Sequence, residues 1–350
     1  PSDLTAGLEY NRDRLKDNMW GYDRHTDQTV NIYSAFLQNE WKNDRWGILI
    51  GGRLDKHNMV DNVIFSPRAN LRFNPTQNIN LRLSYSSGFR APQAFDEDMH
   101  IENVGGTVAM IERAKDLKEE KSQSFSVSAD MYHRFGAFQT NLLIEGFYTR
   151  LTDVFVLGKP YDRGDGILVK TRSNGPGAKV MGLTLEGKVA YLSILQIQAG
   201  LTLQRSRYDE PHKWHDDVPA KRTIFRTPNV YGYFTATYIP IKPLSIALSG
   251  TYTGSMFVQR MDITAENAAM GDMPERKAEA VKTPKFLDLG VKLAYDFKLY
   301  KTVDLQLSGG VQNILEAYQK DFDRGANRDS GYIYGPALPR SFFAGVKISY

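Results

Sequence analysis

The stretch Ser330–Tyr350, SGYIYGPALPRSFFAGVKISY, decides the fold. From Phe342 onward its residues alternate. Phe342, Ala344, Val346, Ile348 and Tyr350 share one face, and Phe343, Gly345, Lys347 and Ser349 the other. Period-two alternation marks a strand whose two faces meet different surroundings. The run ends on an aromatic ring, as expected of the closing strand of a transmembrane barrel, where rings sit at the membrane–water boundary.

The same alternation recurs upstream. Leu195, Ile197, Ala199, Leu201 and Leu203 oppose Gln196, Gln198, Gly200, Thr202 and Gln204. Val303, Leu305, Leu307, Gly309 and Val311 oppose Asp304, Gln306, Ser308, Gly310 and Gln312. Leu81, Leu83 and Tyr85 oppose Asn80, Arg82 and Ser84. The pattern predicts fourteen strands, at 3–17, 28–42, 46–57, 62–75, 78–90, 120–134, 138–157, 167–191, 194–208, 227–240, 243–259, 284–298, 302–316 and 332–350. That is more than one open twisted sheet usually holds.

The connections alternate in length. Short turns are expected near 42–45, 74–77, 134–137, 192–193, 239–243 and 299–301. Longer loops are expected at 18–27, 58–61, 91–119, 158–166, 209–226, 260–283 and 317–331. Short turns at one rim and long loops at the other are the habit of outer-membrane barrels. The apolar faces are then expected to meet lipid, and the Ser, Thr, Gln and Asn faces a wet or plugged lumen. Trp41, Trp46, Tyr191, Tyr238 and Tyr300 flank the short turns, where an aromatic girdle belongs.

Composition narrows the alternatives. The 350 residues include six His and no Cys, with a net charge of +4. No disulfide or thiolate metal site can form. The charge gives no reason to expect nucleic acid. No apolar run approaches the ~18 residues of a spanning helix, so any crossing is by strands. The chain opens on Pro-Ser-Asp without a signal peptide, so a processed chain or a fragment is expected.

Four local patterns resemble those of TonB-dependent outer-membrane receptors, in that family's order. Gly88-Phe89-Arg90-Ala91-Pro92 matches its "F-R-A-P" box. Asn174-Gly175-Pro176-Gly177-Ala178-Lys179-Val180-Met181-Gly182-Leu183 resembles "N-x-G-x-A-x-V-x-G-V-E". Gly310-Val311-Gln312-Asn313-Ile314-Leu315-Glu316-Ala317-Tyr318 resembles the ending "V-x-N-L-F-D-x-x-Y". The last segment looks like "P-G-R-x-F-x-x-x-L-x-Y/F", with Leu338-Pro339-Arg340 lacking the usual Gly.

The resemblance implies a 22-stranded barrel with an N-terminal plug. Residues 1–350 would then be the C-terminal part of one barrel, its last fourteen strands, with plug and first strands outside this sequence. It further implies import of a scarce nutrient, an iron complex (siderophore or haem) or alternatively cobalamin, in the bacterial outer membrane. Implied partners are the TonB complex acting through the plug, outer-membrane lipids and a surface lipoprotein over the loops. No enzyme activity, resident cofactor or metal is implied. A self-closed passive pore of fourteen strands is the rival reading.

Ligand residues are sought in the long loops and inner strand ends. Phe89 and Arg90 close the "F-R-A-P" strand. His100 follows in the acidic run Asp96–Glu102. In haem receptors of the family, a His between the "F-R-A-P" and "N-P-N-L" boxes can ligate haem iron. Here Lys115-Asp116-Leu117-Lys118 stands in place of the second box. His212, Trp214 and His215 lie beside Asp216 and Asp217, a set able to bind a metal or stack on a ligand ring. Met273, with Met256, Met261 and Met270, offers soft contact surface. Arg82, Arg90, Arg150 and Arg205 are expected to point inward, toward an anionic ligand or the plug.

Overall fold

The computed structural model describes the chain apart from residues 95–108, 160, 165–166, 264–275, 301, 325–327 and 330. Fourteen strands form one continuous antiparallel wall: β1 (Ser2–Met19), β2 (Arg24–Lys42), β3 (Trp46–His57), β4 (Ile64–Thr76), β5 (Ile79–Arg90), β7 (Glu120–Phe135), β8 (Phe138–Thr152), β12 (Ala178–Tyr191), β13 (Leu195–His212), β15 (Val230–Ile241), β16 (Leu244–Thr253), β19 (Phe286–Tyr300), β20 (Val303–Gln312) and β21 (Ser341–Ser349). Each pairs with the next in this order. Among the described residues the loops carry seven more strands: β6 (Ala109–Arg113), β9 (Phe155–Leu157), β10 (Tyr161–Asp162), β11 (Leu168–Asn174), β14 (Lys221–Thr223), β17 (Phe257–Ile263) and β18 (Arg276–Lys282).

The register turns the alternation into rows. One row runs Trp41, Ile48, Leu71, Leu83, Val127, Gly146, Leu183, Leu203, Val230 across nine consecutive strands. One residue away, on the opposite face, runs Arg72, Arg82, Ser128, Glu145, Thr184, Thr202, Tyr231, Thr253. On the polar face Thr184 and Thr202 share a hydroxyl hydrogen bond of 3.0 Å, and Ser124 and Thr149 one of 2.9 Å. The apolar face is bare: Leu83, Val127 and Leu203 are 52%, 59% and 44% exposed. In water such a surface would not stay open, whereas in hydrocarbon it is matched to its medium.

Aromatic rings collect at the short-turn rim. Trp46 stacks on Phe73 at 4.2 Å, and Phe138 lies 5.4 Å from Phe135 and 4.7 Å from Tyr191. The turns use familiar devices. Asn43 Oδ1 accepts from the amides of Arg45 (2.9 Å) and Trp46 (2.7 Å). Gly136 takes a φ of +58°, which an L side chain rarely adopts.

The boundaries depart from the sequence reading where backbone chemistry breaks the ladder. The expected strand 138–157 ends at Thr152, because Asp153 takes a φ of +55°. The expected 167–191 splits at Gly175-Pro176-Gly177 into β11 and β12. The expected 302–316 ends at Gln312, and Asn313 turns with a φ of +49°. The last strand begins at Ser341 rather than 332, after Pro336 and Pro339, which cannot donate to a ladder. In the other direction, the expected loop 18–27 shrinks to the 3-10 turn Trp20–Tyr22 plus Asp23. Cross-strand pairs carry that hairpin outward: Arg14–Asp27 at 2.7 Å and Arg24–Asp17 at 2.9 Å.

Candidate ligand-binding site

The long connections leave the wall at the rim opposite the short turns, and several of their described parts fold against one another. β6 pairs in parallel with β11, and β11 in turn pairs with β9 and β10. This ties the 91–119 loop to the 153–177 loop. Asn174 holds the junction. Its side-chain amide donates to the carbonyls of Lys118 (3.1 Å) and Asp153 (2.8 Å), and its oxygen accepts from the Lys118 amide (2.8 Å). Three chain segments thus meet on one side chain, which explains the Asn of that motif physically.

Phe89 and Arg90 have separate surroundings. Phe89 packs on the buried cluster of Val60, Ile64 and Ala91. The Arg90 guanidinium lies 5.5 Å over the Phe155 ring, and the Phe155 amide donates to Glu120 at 2.9 Å. Beside them, the fully buried His57 accepts from the Met59 amide at 3.0 Å and faces Gln93 at 3.3 Å. A cleft of about 660 Å³ opens here, lined by Arg24, Met59, Pro92, Arg113 and Lys115. Arg113 donates to the Pro92 carbonyl at 2.7 Å, so the "F-R-A-P" segment is anchored from both ends.

A second cluster is built from the 213–229 loop, the β17–β18 hairpin and the 313–340 loop. His212 ends β13 with its ring 5.4 Å from Tyr208. The Trp214 ring lies 5.7 Å from His215 and 6.3 Å from Phe225, which continues to Phe257 at 6.4 Å. The Trp214 Nε1 is buried, with no hydrogen-bond acceptor among the described residues. The Lys221 ammonium sits 4.0 Å over the Phe257 ring. Asp217 stays by His215 (3.4 Å) and accepts from the Ala278 amide at 3.2 Å. Hydrogen bonds from Lys159 and then Lys213 hold the Asp216 carboxyl below its ordinary range.

The 313–340 loop adds a phenol–carboxylate group in which Tyr332 is buried, Tyr334 half-buried and Asp321 exposed. Tyr332 and Tyr334 both donate to Asp321, the first at 2.9 Å. Arg260 pairs with Asp323 at 2.8 Å and lies 5.0 Å over the Tyr332 ring. Arg226 donates to the carbonyls of Ile333 (2.6 Å) and Gly331 (2.5 Å). Burial, followed by the hydrogen bond to Asp321, pushes the Tyr332 hydroxyl up to about 12, and the same two causes lead in raising Tyr334. Burial alone would raise the Asp321 carboxyl, but hydrogen bonds from both phenols and the backbone outweigh it and hold it low. Asn313, buried at the root of this loop, accepts from the Ala317 amide (2.8 Å) and donates to Leu338 O (2.9 Å).

The structure therefore brings His212, Trp214 and His215 into one neighbourhood. Phe89 and Arg90 stand four strands away along the wall, roughly 19 Å at the usual strand spacing. His100 and Met273 lie outside the described residues, as does the acidic run 96–102. Among the described residues no three His, Asp or Glu side chains converge on a metal-sized site. Phe225, Phe257, Lys221, Arg226, Arg260, Asp321, Tyr332 and Tyr334 were not legible as partners, since they come from three separate loops. The i, i+2 spacing of Tyr332 with Tyr334 and of Asp321 with Asp323 was the available signal.

One expectation is corrected. Arg82 lies on the polar face, in register with Arg72. Arg150 and Arg205 do not. Arg150 pairs with Gln123 and Lys179, and Arg205 with Met181, on the face that carries Phe125, Val127, Leu183 and Leu203. Two residues per repeat is a strict rule, and both arginines share the parity of their strands' apolar positions.

Comparison with known proteins accords with this architecture. The family model described as "TonB dependent receptor-like, beta-barrel" matches residues 1–314. The chain belongs to the TonB-dependent receptor family. It is an outer-membrane barrel protein, so its apolar face is the lipid face and its polar face lines the lumen. The members and neighbours it resembles are receptors and transporters.

Among curated proteins no sequence matches. Solved structures share the fold. A point mutant of the ferric enterobactin receptor PfeA from Pseudomonas aeruginosa aligns at 18% identity and TM-score 0.67, over 99% of this chain and 51% of that one. The siderophore receptor PirA from Acinetobacter baumannii aligns at 16% identity and TM-score 0.69, over 100% and 52%. The FrpB iron transporter from Neisseria meningitidis aligns at 16% and 0.66, over 99% and 52%. The chain spans about half the length of these structures.

Proposed function

We propose that this receptor wall serves the uptake of an anionic iron chelate of the siderophore class, caught by the loop cluster around Trp214. The observation that carries the reading is the assembly of aromatic faces and cations from three loops: Trp214, His215, Phe225 and Phe257 with Lys221, and Tyr332 with Arg260. Flat, polyanionic chelates are bound by ring faces and by cations held in partly dry surroundings. The Trp214 Nε1 has no acceptor among the described residues, which leaves a spare donor beside the ring faces. The iron- and siderophore-related names of the structural neighbours support the same class. His212 and His215 border the site, and Arg90 over Phe155 forms a second cationic station nearer the lumen. Import then runs through energy coupling by TonB to a plug carried in the part of the polypeptide that these residues do not span.

The test is titration of the full-length protein in detergent with a ferric catecholate and a ferric hydroxamate, followed by intrinsic tryptophan fluorescence. Saturable quenching by one of them, with Trp214→Ala weakening affinity about tenfold, is the expected result. A Soret band on the purified protein, or a corrin spectrum with cobalt, replaces the siderophore reading with haem or cobalamin. Conductance of small solutes by the full-length protein replaces it with a pore.

A further inference from the structure

Two of the bases expected in the lumen, Arg150 and Arg205, instead belong with Lys179 and Arg207 to a patch on the lipid face. Arg150, Lys179 and Arg207 are directly opposite one another on β8, β12 and β13, in one row. Arg205 stands one row nearer the turns, opposite Met181. Like charges directly opposite on neighbouring strands repel, more so beside hydrocarbon. Among the described residues the one carboxylate within ion-pair distance of any of them is Asp209, 3.5 Å from Lys179 and 3.9 Å from Arg150. Arg205 and Arg207 have no ion-pair partner there.

Directly below this patch the apolar face is indented. In the row from Trp41 to Val230, Gly146 is the member without a side chain. A groove of about 770 Å³ lies over it, walled by Phe125, Val127, Tyr148, Leu183 and Leu203 and edged by Arg205. Backbone sterics do not require glycine at this point. A Cβ at 146 would meet Val127 Cγ1 at 3.6 Å, an ordinary contact, and its φ is not positive.

We infer that this patch and groove bind a phosphorylated membrane lipid, with its phosphate on Arg150, Lys179, Arg205 and Arg207 and one acyl chain over Gly146. Arg205 stands one row above Gly146, roughly 7 Å along the strands, and the Arg150–Lys179–Arg207 row two rows, roughly 14 Å, so a headgroup on the bases leaves its glycerol and the start of a chain to run down past Arg205 into the groove. The bases sit on the long-loop side of the apolar band, so the lipid belongs to the outer leaflet. A phosphomonoester relieves the repulsion among cations that one carboxylate leaves unbalanced.

The experiment uses the full-length protein in detergent, its fold checked by heat-modifiable mobility. It is titrated with phosphatidic acid, phosphatidylcholine and inorganic phosphate, and bound lipid is counted by native mass spectrometry. Phosphatidic acid is expected to be retained about tenfold better than phosphatidylcholine. The triple substitution Arg150→Gln, Lys179→Gln, Arg207→Gln should abolish that preference. Gly146→Leu should weaken retention of both lipids while the preference survives. Equal retention of the two lipids by the native protein, or a preference untouched by the triple substitution, overturns the site. Displacement of lipid by inorganic phosphate assigns the bases to a free anion and also overturns it. Siderophore titration should be unchanged in both variants, so failure here is distinguishable from failure of the transport reading.

Discussion

The rows Leu71–Leu83–Val127–Gly146–Leu183–Leu203 and Arg72–Arg82–Ser128–Glu145–Thr184–Thr202 cross the same six strands one residue apart. They share backbone, hydrogen-bond ladder and depth in the membrane, and they differ in medium alone. The first offers nothing but hydrocarbon and takes its stability from the lipid. The second holds charged and hydroxyl groups and satisfies them laterally, as in the Thr184–Thr202 bond. A single step along the chain thus decides whether an arginine costs little or much.

The largest way to break the comparison is to move a charge across it. Leu183→Arg should destabilise the wall by about 2–4 kcal/mol in urea titrations of protein refolded in vesicles. Gln196→Lys on the lumen face should stay within roughly 0.5 kcal/mol.

A second test sets the wall against the loops. Asp321→Asn should raise hydrogen exchange of the 319–334 amides by roughly tenfold while wall amides keep their protection. The pH dependence has a definite sign. Asp321 is held low, so its contribution is present above the ordinary carboxylate range and is lost as pH falls through its folded value. Tyr332 is pushed up to about 12 from 10, so the docking it supports is intact below pH 10 and fades as pH rises from there through about 12. Exchange measured across that window should show the 313–340 loop opening before the wall.

Smaller effects sharpen the polar row itself. Thr184→Val removes one hydroxyl bond and leaves Thr202 half-satisfied, which should cost about 1 kcal/mol. Arg82→Gln relieves the direct opposition to Arg72 and should stabilise the wall by a few tenths of a kcal/mol, less at high salt.

The alternation made the wall legible. Every one of the fourteen expected strands has a counterpart, because period two is imposed on each strand locally by its two media. The strand ends were less so. Asp153 and Asn313 enter left-handed backbone without announcing it by glycine. The parity of Arg205 was in the sequence, two residues beyond Leu203, whereas Arg150 follows the uneven run Leu142-Leu143-Ile144 and needed its partners Gln123 and Lys179 to place it.

By itself, then, the sequence determined that this chain crosses a membrane by antiparallel strands with short turns at one rim, and through four motifs it pointed to the family. Those are properties of neighbouring residues and of the solvent each strand must face. Only the tertiary structure decided that Trp214, Phe257 and Tyr332 belong to one loop cluster and that four bases gather over a groove at Gly146. Both depend on register between strands and on docking between loops, and contacts of that range leave no period in the chain.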